Sequence, residues 1–152
     1  MGLMQISRKA DYALRAAIYL SLQPPEKACS AGEIAAQQRV PQKFLEKIIR
    51  DLIRGGLVKS KRGWNGGYTL ALPPREISFR HVIEAVEGPI AVNICMDSDR
   101  CCELLCHCTM VGVWNEVQSR VLDVFTRTTL ADLKTTARQV AAATSSSLWS
   151  AA

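Results

Sequence analysis

Apolar residues recur at helical spacing over residues 7–22. Ala10, Ala13 with Leu14, Ala17 with Ile18, and Leu20 share a face, and Ser7 is placed to cap it. Gln23-Pro24-Pro25 ends the stretch, because proline has no N–H and disfavours the helical state of the residue before it. Ser30-Ala31-Gly32-Glu33 has the form of a capping box and opens a short helix that ends near Gln38. Val40-Pro41 breaks the pattern. A second helix is expected from Gln42 to Arg54, with Phe44/Leu45, Ile48/Ile49 and Leu52/Ile53 as its buried stripe and Gly55-Gly56 as a left-handed stop.

A short helix, a tight turn and a longer helix make the helix-turn-helix layout. Leu57 to Lys61 then reads as a strand, Arg62 to Gly67 as a glycine-rich turn, and Tyr68 to Ala71 as a second strand. Together they predict a β-hairpin, or wing. Ser78 caps a helix from Phe79 to Glu87, stopped by Gly88-Pro89. Residues 89–109 show no period and read as a loop. Val111 to Thr126 is a long amphipathic pattern with Val113/Trp114, Val117, Val121 and Phe125 on one face. Thr128 caps a last helix, Leu130 to Ala143, and the Ser/Ala-rich tail 144–152 is expected to be disordered. The expected fold is mainly α with a small β-hairpin wing, a winged helix-turn-helix plus a long C-terminal dimerisation helix. Its expected parts are a DNA-binding domain over 1–88, a cysteine-rich cluster-binding loop over 89–109, dimerisation helices over 110–143 and the tail.

Composition changes this picture only modestly. With 152 residues and 48% apolar content the chain can build one core with an arm. A net charge of +5 and a pI near 9.0 suit a polyanionic partner. No apolar stretch is long enough to span a membrane, and Asp11 and Arg15 interrupt the apolar run from Ala10 to Leu20, so a secretory leader is not expected. A cytoplasmic protein is expected. The two histidines, His81 and His107, join no Ser/His/Asp or paired-carboxylate arrangement, so an enzyme is not expected.

In a helix-turn-helix the second helix enters the major groove of double-stranded DNA. With its apolar stripe turned inward, Gln42, Lys43, Glu46, Lys47 and Arg50 are left outward. Gln pairs with adenine, Lys reaches guanine or phosphate, and Glu accepts from cytosine. The wing adds Lys59, Lys61, Arg62 and Gly63, with Trp64 and Asn65 at its tip. An arginine beside flexible glycines suits a narrow minor groove, where the potential is most negative.

The remaining chemistry is sulfur. Of six cysteines, Cys95, Cys101, Cys102, Cys106 and Cys108 fall in one short segment, with His107 among them. Thiolates are soft ligands for zinc, copper(I) and iron–sulfur clusters. The paired C-x-x-C units of a zinc knuckle are absent, whereas wider spacings in one loop can wrap an iron–sulfur cluster. Three readings stay open on these residues: an iron–sulfur cluster, a zinc site, and a thiol/disulfide switch through Cys101-Cys102 or Cys106-x-Cys108. Cys29 stands apart and reads as a small apolar residue.

The run Leu45-Glu46-Lys47-Ile48-Ile49, Leu52, Gly56-Leu57-Val58-Lys59-Ser60, Arg62-Gly63 and Gly66-Gly67-Tyr68-Thr69-Leu70-Ala71 resembles the Rrf-two family of bacterial winged helix-turn-helix regulators. Asp11-Tyr12-Ala13-Leu14-Arg15 and Thr129-Leu130-Ala131-Asp132-Leu133 are also similar to that family. The resemblance implies a homodimeric repressor or activator of transcription. In its iron–sulfur-binding branch, three cysteines before the long helix hold the cluster, each separated from the next by five residues. Here Cys102 and Cys108 keep that gap, while the interval from Cys95 to Cys102 is one residue longer. The resemblance thus implies Cys95, Cys102 and Cys108 as ligands, with Cys101, Cys106 and His107 as alternates. It also implies Asp11 as fourth ligand, as in the branch's nitric-oxide sensor. The position of the alternative family histidine is Val111. The cluster would be a two-iron or four-iron form.

Overall fold

The computed structural model describes residues 6–97 and 102–149. Helix α1 (Arg8–Leu22) starts where the Ser7 hydroxyl accepts from the Ala10 N–H, and it ends at Gln23 before the proline pair. Helices α2 (Ala31–Gln38) and α3 (Gln42–Arg54) follow. The turn between them holds Arg39 in the left-handed region at φ 53°, a conformation that favours glycine. Val40 behind it is buried.

On α3 the buried stripe is Leu45, Ile48, Ile49 and Leu52. It is narrower than expected. Ile53 is exposed, and Phe44 leaves the core to set its ring edge-on to Tyr12 of α1, with centroids 5.9 Å apart. Gly56 supplies the left-handed stop at φ 73°.

The wing is an antiparallel pair, β1 (Val58–Lys61) and β2 (Gly67–Leu70), in the register Val58↔Leu70, Lys59↔Thr69, Ser60↔Tyr68 and Lys61↔Gly67. A third segment was not foreseen. The Cys29 N–H donates to the Tyr68 carbonyl at 3.0 Å, and the Tyr68 N–H donates back at 2.8 Å. The chain before α2 is thereby stitched to β2. Cys29 itself is fully buried, and burial pushes its thiol pKa up, so it is the inert core residue expected.

Helix α4 (Phe79–Glu87) has a capping box at its start. The Ser78 hydroxyl accepts from the His81 N–H, and His81 Nδ1 accepts from the Ser78 N–H. Lys9 binds three helices together: its ammonium lies 2.8 Å from Asp51 of α3 and donates to the Val86 carbonyl of α4.

Helix α5 (Val111–Arg127) has no buried residue; Val113 is 64% exposed. The chain then returns to the body. Phe79 N–H donates to the Thr128 carbonyl at 2.8 Å, and Leu130 N–H donates to the Ile77 carbonyl at 2.9 Å. Leu130, the first residue of α6 (Leu130–Trp149), is fully buried in the same core as α1 and α3. Helix α6 runs past Ala143, where its end was expected. Ser/Ala-rich sequence with no Gly or Pro contains nothing that stops a helix. The rest of the tail lies outside the described residues. No helix among the described residues is long and apolar enough to cross a membrane.

Candidate nucleic-acid interface and cysteine loop

The outward side of α3 is mostly polar because Leu45, Ile48, Ile49 and Leu52 are committed to the core. Gln42, Lys43, Glu46, Lys47 and Arg50 are all exposed. Gln42 donates to Glu46 at 3.3 Å, so the first turn presents a linked amide and carboxylate. Lys47 and Arg50 flank a depression also lined by Lys9, Phe44 and Arg54. The helix thus offers hydrogen-bonding groups at its N-terminal end and cations along its length, which is what base-edge and phosphate contacts use.

The wing tip is equally open. Arg62, Gly63, Trp64 and Asn65 are exposed, and the Trp64 indole lies wholly in water at 101% relative exposure. Gly63 adopts φ 113° with open space around it, and the Gly66 N–H returns to the Gly63 carbonyl at 2.9 Å to close the turn. The two strand lysines are placed differently from the tip. Lys61 turns back to Glu26, contacting its carbonyl at 3.2 Å and its carboxylate at 3.4 Å. Lys59 lines a cavity against the Pro24-Pro25 turn. Sequence alone placed both with the wing but not which way they face.

Below α2, Glu33 accepts from Lys27 at 2.9 Å and from the Tyr19 hydroxyl at 3.0 Å. The Lys27 hydrogen bond holds the Glu33 carboxyl below the usual carboxylate range. The Tyr19 hydroxyl, donating to Glu33, pins the start of the helix-turn-helix to α1. The Lys9 hydrogen bond likewise holds the Asp51 carboxyl low.

The cysteine loop begins at a clamp. Gln118 of α5 accepts from the Val92 N–H at 2.9 Å and donates to the Ile90 carbonyl at 2.6 Å, fixing the loop's first residues to the long helix. A lone glutamine on an otherwise amphipathic helix gave no warning of this. Two short 3-10 turns follow, Ile94–Met96 and Leu105–His107, the second directly ahead of α5. Cys95, Cys102 and Cys108 are half-buried, while Cys106 and His107 are exposed; all four of these cysteines are free thiols. Cys101 lies outside the described residues.

Asp11 sits elsewhere, on α1. It pairs with Arg15 at 2.9 Å and lines a shallow depression with Arg8, Tyr12 and Arg39. Among the described residues, no three His, Cys, Asp or Glu side chains are gathered as a metal-holding group within the chain. The donor chemistry of the loop fits a soft metal or an iron–sulfur cluster: several free thiols fall within one short segment.

A comparison with known families decides the class. Residues 6–136 match the Rrf2 model, described as an iron-dependent transcriptional regulator. The chain belongs to the Rrf2 family. It is a transcriptional regulator of the DNA-binding kind and not an enzyme. Among Rrf2 relatives, the HTH-type transcriptional regulator NsrR of Shouchella clausii is 33% identical over 131 residues, covering 86% of this chain and 88% of its own. Protein rrf2 of Nitratidesulfovibrio vulgaris is 30% identical, covering 86% and 87%. Among solved structures, CymR, described as the global cysteine regulator of B. subtilis, superposes with a TM-score of 0.73 at 32% identity, covering 86% of this chain and 96% of CymR. IscR of T. potens gives 0.73 at 29% identity, with 90% of each chain covered. The mainly helical body with one two-stranded wing is thus the Rrf2 winged helix.

Proposed function

We propose that this chain is a cytoplasmic, homodimeric regulator, a repressor, whose grip on promoter DNA depends on an iron–sulfur cluster that responds to redox state, nitric oxide or iron. The observation that carries the reading is the set of free thiols on one short loop, clamped by Gln118 to the helix that follows. The family's description as iron-dependent supports the same chemistry. In this reading Cys95, Cys102 and Cys108 hold a two-iron or four-iron cluster, with Cys101, Cys106 and His107 as alternates. Asp11 is the fourth ligand. It stands on α1 and pairs with Arg15, and its assignment rests on family resemblance.

Residues 1–88 carry DNA binding, through Gln42, Lys43, Glu46, Lys47 and Arg50 in the major groove and Lys59, Lys61 and residues 62–65 at the wing. Residues 89–109 sense and 110–143 dimerise. The exposed apolar positions of α5, Val113 and Val124, support a second copy covering that helix. Protein purified without oxygen, examined by UV–visible absorption and iron analysis, tests the reading. A colourless protein that takes up no iron on anaerobic reconstitution refutes it.

A second reading is favoured by one observation: Cys102, Cys106 and Cys108 stand as free thiols within one short stretch. Cys101-Cys102 or Cys106-x-Cys108 then acts as a thiol/disulfide switch, or the loop cysteines hold zinc. Bound zinc with no iron, or DNA affinity that follows thiol oxidation in iron-free protein, distinguishes it.

A further inference from the structure

Behind the wing lies a cavity of about 440 Å³, within the usual range for small-molecule sites. It lies between the end of α1, the hairpin, the Pro73-Pro74 turn and α6. Its apolar wall is Leu20, Leu70 and Leu72 with the two proline pairs, which are stiff and bring no N–H groups. Three polar groups in this wall are unusual.

Among the described residues the ammonium groups of Lys59 and Lys134 have no hydrogen bond or ion pair, whereas those of the neighbouring Lys27 and Lys61 are engaged with Glu33 and Glu26. Thr69 is only 5% exposed, and its hydroxyl is the one buried side-chain polar atom among the described residues without a partner. An orphan hydroxyl of this kind is costly, and native folds seldom keep one that nothing satisfies. Lys59 and Thr69 are direct cross-strand partners, so both side chains rise from the same face of the hairpin. Thr69 also lines the cavity, and its hydroxyl can move among three staggered positions about Cα–Cβ.

We propose that this cavity binds a small organic carboxylate with an apolar body. The carboxylate sits between Lys59, Lys134 and the Thr69 hydroxyl, and the apolar body lies against the leucines and prolines. Glu26, also in the wall, is turned to Lys61 and leaves the two free ammonium groups to the ligand. The site is separate from both the cysteine loop and α3. It joins the wing to α6, so an occupant tethers the hairpin to the body.

The probe is hexanoate, titrated into the full chain without DNA and followed by amide chemical-shift NMR and calorimetry, with hexanol and hexylammonium as controls. Saturable hexanoate binding is expected, with shifts centred on Thr69, Leu70, Leu72 and Lys134. Lys134→Gln and the isosteric Thr69→Val should each weaken it about tenfold, the worth of a hydrogen bond to a charged group. Lys134→Arg should retain most of it, and Arg120→Gln on exposed α5 should bind like the parent. Unchanged thermal unfolding of each variant keeps the comparison clean. The proposal falls if hexanoate does not saturate, if hexanol or hexylammonium binds as well, or if Lys134→Gln and Thr69→Val bind like the parent.

Discussion

Gly67→Ala isolates the stitch that holds the wing to the body. A Cβ at Gly67 would stand 2.6 Å from the Cys29 carbonyl oxygen and 2.7 Å from its carbon, and both are backbone, so one segment must move. Moving either breaks the two hydrogen bonds between Cys29 and Tyr68. Each is worth about 1 kcal/mol net. Gly67 also holds φ 152°, where a side chain adds strain of about 1–2 kcal/mol. The sum is a loss of about 3–4 kcal/mol. Gly63→Ala is the control. Its φ of 113° carries comparable strain, but nothing lies within 4 Å of its Cβ. The unfolded-state benefit of alanine over glycine is common to both and cancels in the difference. Urea unfolding of the two variants should therefore differ by about 2 kcal/mol, with faster amide exchange at Cys29 and Tyr68 only in Gly67→Ala. If the two lose the same stability within about 0.5 kcal/mol, the stitch does not hold the wing and the reasoning fails.

Leu130→Ala removes three fully buried carbons, about 2.4 kcal/mol by transfer alone and roughly 3 with the cavity left behind, while Arg138→Ala on the exposed face of α6 should change urea stability by less than about 0.5. Asp51 has its carboxyl pKa lowered by Lys9, so the pair's contribution is fully present above the ordinary value of 3.8 and is lost as pH falls through the depressed folded value. Lys9→Met should move the Asp51 midpoint up in an NMR titration and remove that contribution at neutral pH. Trp64→Ala should leave thermal unfolding unchanged, because the indole touches only water, yet weaken promoter binding measured by fluorescence anisotropy. Lys47→Gln should reduce the slope of log affinity against log salt by about 1 if it meets a phosphate; an unchanged slope removes it from the interface.

The helices were legible in the sequence because their apolar spacing and caps are local. Ser7, Ser30 and Ser78 each accept from the N–H three residues on, a bond that needs no knowledge of the rest of the chain. The wing was legible from its glycines. What escaped were contacts between distant segments. Cys29 beside Tyr68, Lys9 beside Asp51 and Gln118 beside Ile90 are each unremarkable in their own neighbourhood. Arg39 in a left-handed turn escaped for the opposite reason: a local rule favours glycine there, and the buried Val40 and the packing of α2 on α3 override it. At the candidate site, the exposed face of α3 followed from its apolar stripe. The direction of Lys59 and Lys61 did not, because strand alternation says which residues share a face but not what that face meets.

The paired hydrogen bonds at Ile77–Leu130 and Phe79–Thr128 close an excursion of α4, the cysteine loop and α5, from which the chain comes home beside the start of α4. Closing such an excursion costs only about 0.6 kcal/mol more for each doubling of its length. Helix α4 is committed to the core through Val82, Ile83 and Val86, so the DNA-reading body is nearly indifferent only to the length of the loop hung between α4 and α5. A lineage can lengthen the loop or shift a cysteine by one residue while the reading head keeps its fold. The one-residue departure in the Cys95–Cys102 interval is a change of this inexpensive kind.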